Sequence, residues 1–243
     1  PLYSSAASDV YKRQGVFPPI GLDDCMIFLP EAPDAMPGPD CTYGDLTAET
    51  TIVLAGGSHI EPFIVPLDKL GKEHHFKVAT FVRQECPLVV GGPLDPANEI
   101  VSPECAEWGE NAMQEIINLQ PAMVISTSTR PAGHAGDGRV SADYVPEAYA
   151  NLWQRLAELG IPFVGLRDNP WMFTPTGEPM DPNLCIVAGY SEHDCSMAAD
   201  MVYAPEDPAA ELIDAAFAQW EIDTAGWYCI DGLCPPQIGN VYI

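Results

Sequence analysis

Residues 51–64 read TIVLAGGSHIEPFI, and this stretch decides the fold class. Thr51–Ala55 is a continuous apolar run rich in β-branched residues, which indicates a strand buried on both faces. Gly56 and Gly57 end that strand. Helical spacing follows and predicts an amphipathic helix whose apolar face carries Ile60, Phe63, Ile64, Leu67 and Leu70.

The same alternation of strand and helix continues along the chain. Further strands are predicted over Phe76–Phe81, Met123–Ser126 and Pro162–Leu166. Helices are predicted over 108–119 and 149–159, and two more near Glu192–Met201 and Pro208–Trp220. Strands that alternate with helices predict an α/β fold, a three-layer α/β/α sandwich with a central parallel sheet, over residues 51–243.

The two ends of the chain depart from this pattern. Residues 1–14 (PLYSSAASDVYKRQ) resemble the translated sequencing-adapter string that recurs at the ends of metagenomic genes, so we do not assign them to the fold. Residues 15–50 carry six prolines, a density that predicts an irregular lead-in. The last residues, VYI, are an apolar β-type run, so we expect a fragment truncated at its C-terminus.

Composition narrows the function. The 243 residues are 47% hydrophobic and 19% charged, which excludes wholesale disorder. Ten basic residues against 35 acidic ones give a formal charge of −25, which argues against nucleic acid or an anionic bilayer as the main partner. The 8 cysteines, an even number in a lysine-poor chain, favour an oxidising, extracytoplasmic compartment.

Ser58 is the residue that could carry chemistry. It follows the first buried strand at the start of the predicted helix, at the sheet edge where ligands bind in parallel α/β folds. Free amides and the helix dipole stabilise negative charge there, so a hydroxyl at this place suits a nucleophile. The structural alternative makes Ser58 an N-cap with Glu61 as its capping-box partner. The local sequence leaves both interpretations open.

Several short motifs accompany Ser58 in a fixed order. They are CTYGD (41–45), GGSH (56–59), CP (86–87), CAEW (105–108), LCIVAGYSEHDC (184–195) and WYCIDGLCP (227–235). Together they resemble the SGNH hydrolase superfamily, and in particular the extracytoplasmic SGNH domains fused to bacterial membrane O-acyltransferases. The resemblance covers about residues 25–243 and implies an SGNH, flavodoxin-like fold.

The resemblance also implies roles for the residues around the serine. Ser58 matches the family nucleophile, and its amide would donate to the oxyanion. Gly57 stands where the family has an aspartate that fixes the nucleophile loop. His59 is expected either to contact substrate and fix that loop or to serve only as a helix-start residue. Of the histidines, His74, His75 and His193 are interpreted as structural or surface residues.

The other groups of the family site are less well defined in this sequence. Gly91 or Gly92 would match the glycine after the second strand, with a plain turn as the alternative. The family asparagine after the third strand is missing, so Arg130 or Ser128 is expected to line the pocket instead, with a surface salt bridge as the alternative for Arg130. The catalytic His–Asp block is expected beyond Ile243.

The eight cysteines would pair in sequence order by the resemblance, as Cys25–Cys41, Cys86–Cys105, Cys185–Cys195 and Cys229–Cys234. Zinc is the alternative use of cysteines, but the Cys229-x4-Cys234 spacing has no second pair to complete four ligands. We therefore expect neither a metal nor a cofactor.

The expected function is acyl transfer or ester hydrolysis on a cell-surface carbohydrate, next to an upstream transmembrane acyltransferase domain. The alternative is a non-catalytic, glycan-binding ectodomain, and Gly57 is its best support. Residues 15–243 alone are expected to show no esterase turnover. Turnover that depends on Ser58 would point instead to an internal base such as His134.

Overall fold

The computed structural model describes residues 19–28, 31–91, 102–131, 142–172, 182–238 and 241–242. The strands in chain order are β1 (Met26–Ile27), β2 (Thr42–Gly44), β3 (Thr51–Gly56), β4 (Lys77–Arg83), β5 (Met123–Thr127), β6 (Arg130–Pro131), β7 (Asp143–Tyr144), β8 (Phe163–Leu166), β9 (Met197–Ala198), β10 (Gln219–Ile222), β11 (Leu233–Cys234), β12 (Gln237–Ile238) and β13 (Val241–Tyr242).

The helices are α1 (Pro19–Leu22), α2 (Ile64–His74), α3 (Pro103–Leu119), α4 (Glu147–Glu158), α5 (Pro182–Val187), α6 (Ala199–Val202) and α7 (Ala225–Tyr228). Two 3₁₀ segments, Ser58–Phe63 and Ala215–Phe217, accompany them. Among the described residues, no helix is both long enough and apolar enough to cross a bilayer.

The central sheet has seven strands. Six of them are parallel and follow the order β1-β4-β3-β5-β8-β10, and β2 pairs antiparallel with β4. Within that path, β4-β3-β5-β8-β10 is the 2-1-3-4-5 strand order of flavodoxin-like folds. The predicted fold class, a parallel sheet of SGNH type, is therefore confirmed.

Both faces of the sheet are buried. Side chains alternate along a strand, so Val53 and Ala55 of β3 join one apolar core while Ile52 and Leu54 join the other. Helices α3 and α4 complete the first core, and α1 and α2 complete the second. This explains why β3 reads as an unbroken apolar run rather than as an alternating one.

The proline-rich lead-in contributes the edge of this sheet. Met26 of β1 pairs with Val82, and Thr42 of β2 pairs with Ala79, so both short strands lie against β4. Short edge strands are where a proline-rich segment can still join a sheet, because an edge leaves some amides without ladder partners. The segment predicted as irregular is thus continuous with the domain.

The last part of the chain differs most from the prediction. The helix predicted near Pro208–Trp220 is replaced by turns, a 3₁₀ segment and strand β10, which pairs parallel with β8. The side-chain amide of Gln219 donates to the carbonyl of Trp153 in α4 (2.7 Å) and anchors this strand. Tertiary pairing therefore overrides the helix propensity of its alanines.

The helix predicted near Glu192–Met201 is also wrong in most of its length. Asp194 accepts hydrogen bonds from the hydroxyl (2.6 Å) and amide (3.3 Å) of Ser191, which closes a local turn. Such bonds offer the backbone an alternative to the helix. Only Ala199–Val202 is helical there.

The four disulfides are those that the resemblance implied: Cys25–Cys41, Cys86–Cys105, Cys185–Cys195 and Cys229–Cys234. No cysteine is left free. Each bridge closes a short loop of 5 to 19 residues, so the bridges tighten local segments around the sheet.

Candidate active site

The strand order places the candidate site. β3 has β4 on one side and β5 on the other, so the connections that leave β3 and β5 run in opposite directions along the sheet. A crevice opens at the carboxyl ends of the strands at such a switch point, and ligands of open α/β sheets bind there. Ser58 follows β3 and Arg130 follows β5, so both lie at this edge.

Ser58 is exposed at the first position of the 3₁₀ segment Ser58–Phe63. The N-cap residue is Gly57, and no side chain caps this end. Glu61 accepts a hydrogen bond from the amide of Gly21 (2.9 Å), and burial raises the pKa of its carboxyl. The capping box proposed for Ser58 and Glu61 is therefore not formed, and the Ser58 hydroxyl is left for another use.

The two glycines before Ser58 have different roles. Gly56 has a φ of +147°, in the region that L side chains rarely adopt, and this conformation turns the chain out of the sheet. Gly57 has an ordinary φ of −82°. A Cβ at Gly57 would lie 3.4 Å from the carbonyl oxygen of Cys86, an ordinary contact. Glycine is thus required by the backbone at position 56 and not at position 57.

A cavity of about 600 Å³ opens beside Ser58. Its lining comes from the ends of β3, β4, β5 and β8 and the starts of α3 and α4, namely Gly57, Ser58, His59, Glu85, Pro87, Ser102, Glu104, Cys105, Thr127, Arg130, Tyr149, Asp168 and Trp171. The predicted site residues Gly57, Ser58, His59 and Arg130 are therefore brought together in one cavity.

His59 is held by a carboxylate that sequence reasoning did not identify. Its Nδ1 lies 2.9 Å from Oδ1 of Asp168, and the side chains are 30% and 7% exposed. Asp168 also accepts hydrogen bonds from the amide of Asn169 (3.0 Å) and from Nε1 of Trp171 (2.7 Å). The imidazole of His59 stacks near Trp171, with ring centroids 4.6 Å apart. The signal in the sequence was RDNPW (167–171) directly after the fourth strand, where polar residues reach the functional edge.

Arg130 is the cation of the cavity. Its guanidinium carbon lies 5.2 Å from the ring centroid of Trp171, a cation–π distance. Its buried Nε has no hydrogen-bond partner among the described residues. The hydroxyl of Tyr149 hydrogen-bonds with Arg130 and Thr127, and burial raises the pKa of that phenol, so it stays protonated.

Two other sequence candidates are placed elsewhere. Ser128 is fully buried, and its hydroxyl donates to Glu221, so it does not line the cavity. The amide of Gly91 donates to Oε1 of Glu110 (2.8 Å), which uses the group that an oxyanion would need. Gly92 and His134 lie outside the described residues.

Metal ligands are not grouped in the part of the chain that the structure describes. No cluster of three or more His, Cys, Asp or Glu side chains there could hold a metal ion. His75 contacts Asp45 at the surface (2.8 Å), well exposed to solvent.

The fold and site together are those of a flavodoxin-like α/β domain with an exposed serine after its first central strand. The model of the family described as "SGNH domain (fused to AT3 domains)" matches residues 25–243, so the chain belongs to that family. This confirms the resemblance seen in the sequence and supports membership of the acyl-transfer and esterase class.

Among solved structures, the chain is similar to the periplasmic domain of a lipopolysaccharide acetyltransferase from Salmonella ser. Paratyphi A. The two are 13% identical, the TM-score is 0.45, and the match covers 98% of this chain and 87% of that one. A search of curated proteins finds no match.

Proposed function

We propose that this domain transfers acyl groups to, or hydrolyses them from, a cell-surface carbohydrate, with Ser58 as the nucleophile. The observation that carries the proposal is the exposed, uncapped serine at the switch point of an SGNH-family sheet, inside a cavity that can hold a substrate. Family membership supports the proposed reaction class, and the placement of Ser58 supports its proposed role as the nucleophile.

The reaction divides into two steps. Oγ of Ser58 attacks the acyl carbonyl of the donor, the bond to the leaving group breaks, and the Ser58 proton passes through a base to that leaving group. A sugar hydroxyl or water then attacks the acyl-enzyme, loses its proton to the same base, and releases Ser58 with its proton restored. The base of both steps would be a histidine, as the family resemblance implies.

The oxyanion of each step is stabilised by the backbone amide of Ser58 at the start of the 3₁₀ segment. Arg130 lies in the same cavity and adds positive charge to a protein that is otherwise strongly acidic. The Arg130 guanidinium is well suited to a carbonyl or anionic group of the substrate.

The setting that fits this chemistry is extracytoplasmic. Four disulfides persist in an oxidising compartment. The family description joins these domains to AT3 domains, and we propose that a membrane acyltransferase domain of that kind tethers this one and supplies the acyl group. No cofactor enters the proposed steps.

The second candidate function is a non-catalytic glycan-binding ectodomain. Gly57 favours it, because the family aspartate that fixes the nucleophile loop is replaced. The aromatic face of Trp171 in the cavity would serve binding as well as catalysis.

Labelling with a fluorophosphonate probe separates the two functions. The probe is applied to the full-length native protein, and the labelled residue is identified by mass spectrometry. We expect labelling at Ser58 and complete loss of it in Ser58→Ala. The matched control is Ser102→Ala, because Ser102 lines the same cavity at a helix start but caps α3 by accepting from the amide of Cys105 (3.2 Å). An unlabelled parent protein would favour the binding module.

A further inference from the structure

We propose that Nε2 of His59 accepts a hydrogen bond from a hydroxyl of a pyranoside acceptor, next to the hydroxyl that attacks the acyl group on Ser58, and that Asp168 is the positioning residue for His59. This inference rests on the proposed function and names the group that receives the acceptor. It concerns a histidine other than the catalytic base that the family resemblance implies.

The contact with Asp168 sets the chemistry of the His59 ring. An ionised carboxylate can only accept hydrogen bonds, so Nδ1 of His59 carries the proton in the 2.9 Å contact with Oδ1. In the neutral imidazole, Nε2 is then an acceptor. A sugar hydroxyl that donates to this nitrogen holds the acceptor in the cavity that Ser58 also lines.

Asp168 is itself fixed, so the ring of His59 is preorganised. Both carboxylate oxygens are used, by Nδ1 of His59 and the amide of Asn169 on one side and by Nε1 of Trp171 on the other. The backbone is also anchored, since the amide of Asp168 donates to Oγ1 of Thr129 (3.0 Å) and its carbonyl accepts from the hydroxyl of Tyr203 (2.9 Å). A carboxylate supported in this way holds one ring orientation without a search over rotamers.

The indole of Trp171 indicates the chemical class of the acceptor. The indole lines the cavity beside His59, at 4.6 Å between ring centroids, and it is only partly buried. An aromatic surface next to a hydrogen-bonding imidazole and the Arg130 guanidinium provides both an apolar and a polar side. A pyranoside presents the same combination, an apolar C–H face with hydroxyls at its rim.

His75 provides an internal comparison. Its Nδ1 lies 2.8 Å from Oδ2 of Asp45, much as in His59, but its side chain is 79% exposed. Water can reach both ring nitrogens of such a histidine, so the pair is a surface contact of small energetic value. The two histidines share a carboxylate partner and differ in the cavity around them.

The first test measures the tautomer of His59 directly in the whole 243-residue chain. Long-range ¹H–¹⁵N NMR of the imidazoles is expected to show the Nδ1–H tautomer for His59, with Nε2 unprotonated, at neutral pH. His75 is expected to give averaged shifts. In Asp168→Ala, His59 is expected to lose the Nδ1–H preference. An Nε2–H tautomer in the unchanged protein would overturn the proposal, because Nε2 would then be a donor.

The second test measures the fate of the acyl group in the full-length native protein. p-Nitrophenyl acetate acylates Ser58, and methyl glycosides of glucose, galactose and rhamnose compete with water. The ratio of acetylated glycoside to free acetate is read by mass spectrometry. In His59→Phe, which keeps an aromatic ring beside Trp171, that ratio is expected to fall about tenfold, as for the loss of one good hydrogen bond. His75→Phe is expected to leave it unchanged.

The outcomes distinguish a failure of the proposed function from a failure of the role proposed for His59. No p-nitrophenol burst dependent on Ser58 contradicts the proposed function and this inference with it. A normal burst with an unchanged ratio in His59→Phe, or with no transfer to any of the three glycosides, overturns this inference alone.

Discussion

Two groups of side chains lie just beyond the carboxyl ends of neighbouring strands. They differ in how many of their hydrogen-bonding atoms have partners. The cavity group consists of Ser58, His59, Arg130, Asp168 and Trp171. The Arg167 network consists of Arg167, Asp143 and Asp223 and follows β8 and β10. The two groups are adjacent in sequence, because Arg167 belongs to the network and the next residue, Asp168, belongs to the cavity group.

The Arg167 network uses nearly all of its donors. Nε and Nη2 of Arg167 form a fork with the carboxylate of Asp143 at 2.8 and 2.9 Å, and Nη1 donates to Asp223 at 3.2 Å. Nη2 also donates to the carbonyl of Ala204 (2.8 Å). The guanidinium lies over the ring of Tyr203, at 4.6 Å. Such a bidentate and stacked arrangement ties three segments together.

The cavity group, in contrast, keeps polar atoms that have no hydrogen-bond partner among the described residues. The Ser58 hydroxyl makes no cap, and the buried Nε of Arg130 has no hydrogen-bond partner among the described residues. Buried polar groups are normally satisfied, so an arrangement that leaves atoms available beside a cavity is the one that can bind a ligand. The difference indicates that the Arg167 network serves stability and the cavity group serves function.

The largest expected effect on stability comes from breaking the Arg167 network. Arg167→Met leaves the Asp143 carboxylate buried without its cation, and we expect the free energy of unfolding to fall by about 3–5 kcal/mol. Arg130→Met removes the cavity cation, and we expect a loss below about 1 kcal/mol together with weaker substrate binding. Urea unfolding with the disulfides intact measures both. Similar losses of stability for the two variants would contradict the conclusion that the Arg167 network serves stability and the cavity group serves function.

A buried carboxyl pair lies beside the Arg167 network. Burial, with the neighbouring carboxyl of Asp207, raises the pKa of Glu221 to about 9, although the hydroxyl of Ser128 donates to it and acts in the opposite direction. Burial also raises the pKa of Asp207, whose Oδ1 accepts from the amide of Ala209 (2.9 Å). Oδ2 of Asp207 and Oε2 of Glu221 have no other partner among the described residues, and we expect the two carboxyls to share one proton.

This pair makes stability depend on pH in a defined direction. Above the usual pKa of 4.5 the unfolded chain releases the Glu221 proton, whereas the folded protein keeps it up to about pH 9. The stabilisation is therefore complete below pH 4.5 and is lost as pH rises toward 9, by at most about 1.4 kcal/mol per pH unit.

We expect Glu221→Gln to remove this dependence, because the amide donates to Asp207 at every pH. The difference in unfolding free energy between variant and parent should grow in favour of the variant from pH 5 to pH 8. Glu115→Gln, on the exposed face of α3, is the control and should show no such trend. A constant difference for Glu221→Gln across this range would contradict the shared proton.

Sequence patterns predicted the first strands of the central sheet better than its last strand, and the reason is physical. The strands β3, β4, β5 and β8 are buried runs of apolar residues, and periodicity reveals them directly. Ser58 was identified because a turn and a helix start are local in sequence. The strand Gln219–Ile222 was missed, because its apolar residues Trp220 and Ile222 are exposed and the alanine-rich segment before it favours a helix.

Contacts between distant residues were beyond local patterns. Asp168 lies 109 residues from His59, and Arg167 lies 24 residues from Asp143 and 56 from Asp223. Periodicity and caps contain no information on such pairs. The four disulfides are the exception, since the family resemblance supplied their pairing.

The smallest expected change in stability tests the turn that presents Ser58. Gly57→Ala is expected to alter the free energy of unfolding by less than about 1 kcal/mol, because its φ is ordinary and a Cβ has room beside the Cys86 carbonyl. Gly56→Ala is the matched control and should cost about 1–3 kcal/mol, because its φ of +147° suits glycine alone. Thermal unfolding with the disulfides intact compares the two.

Gly57→Asp then tests whether the cavity group is an acyl-transfer site. It restores the aspartate that the family carries before its nucleophile, at a position where the backbone tolerates a side chain. If the cavity group is an acyl-transfer site with a weakened nucleophile loop, fluorophosphonate labelling of Ser58 should become faster in Gly57→Asp and remain unchanged in Gly57→Ala. Equal rates in both variants would show that this aspartate is not what the loop lacks. If neither the parent protein nor Gly57→Ala nor Gly57→Asp were labelled, the glycan-binding function would be favoured. Ser58 would then be a structural residue of the turn and not a nucleophile.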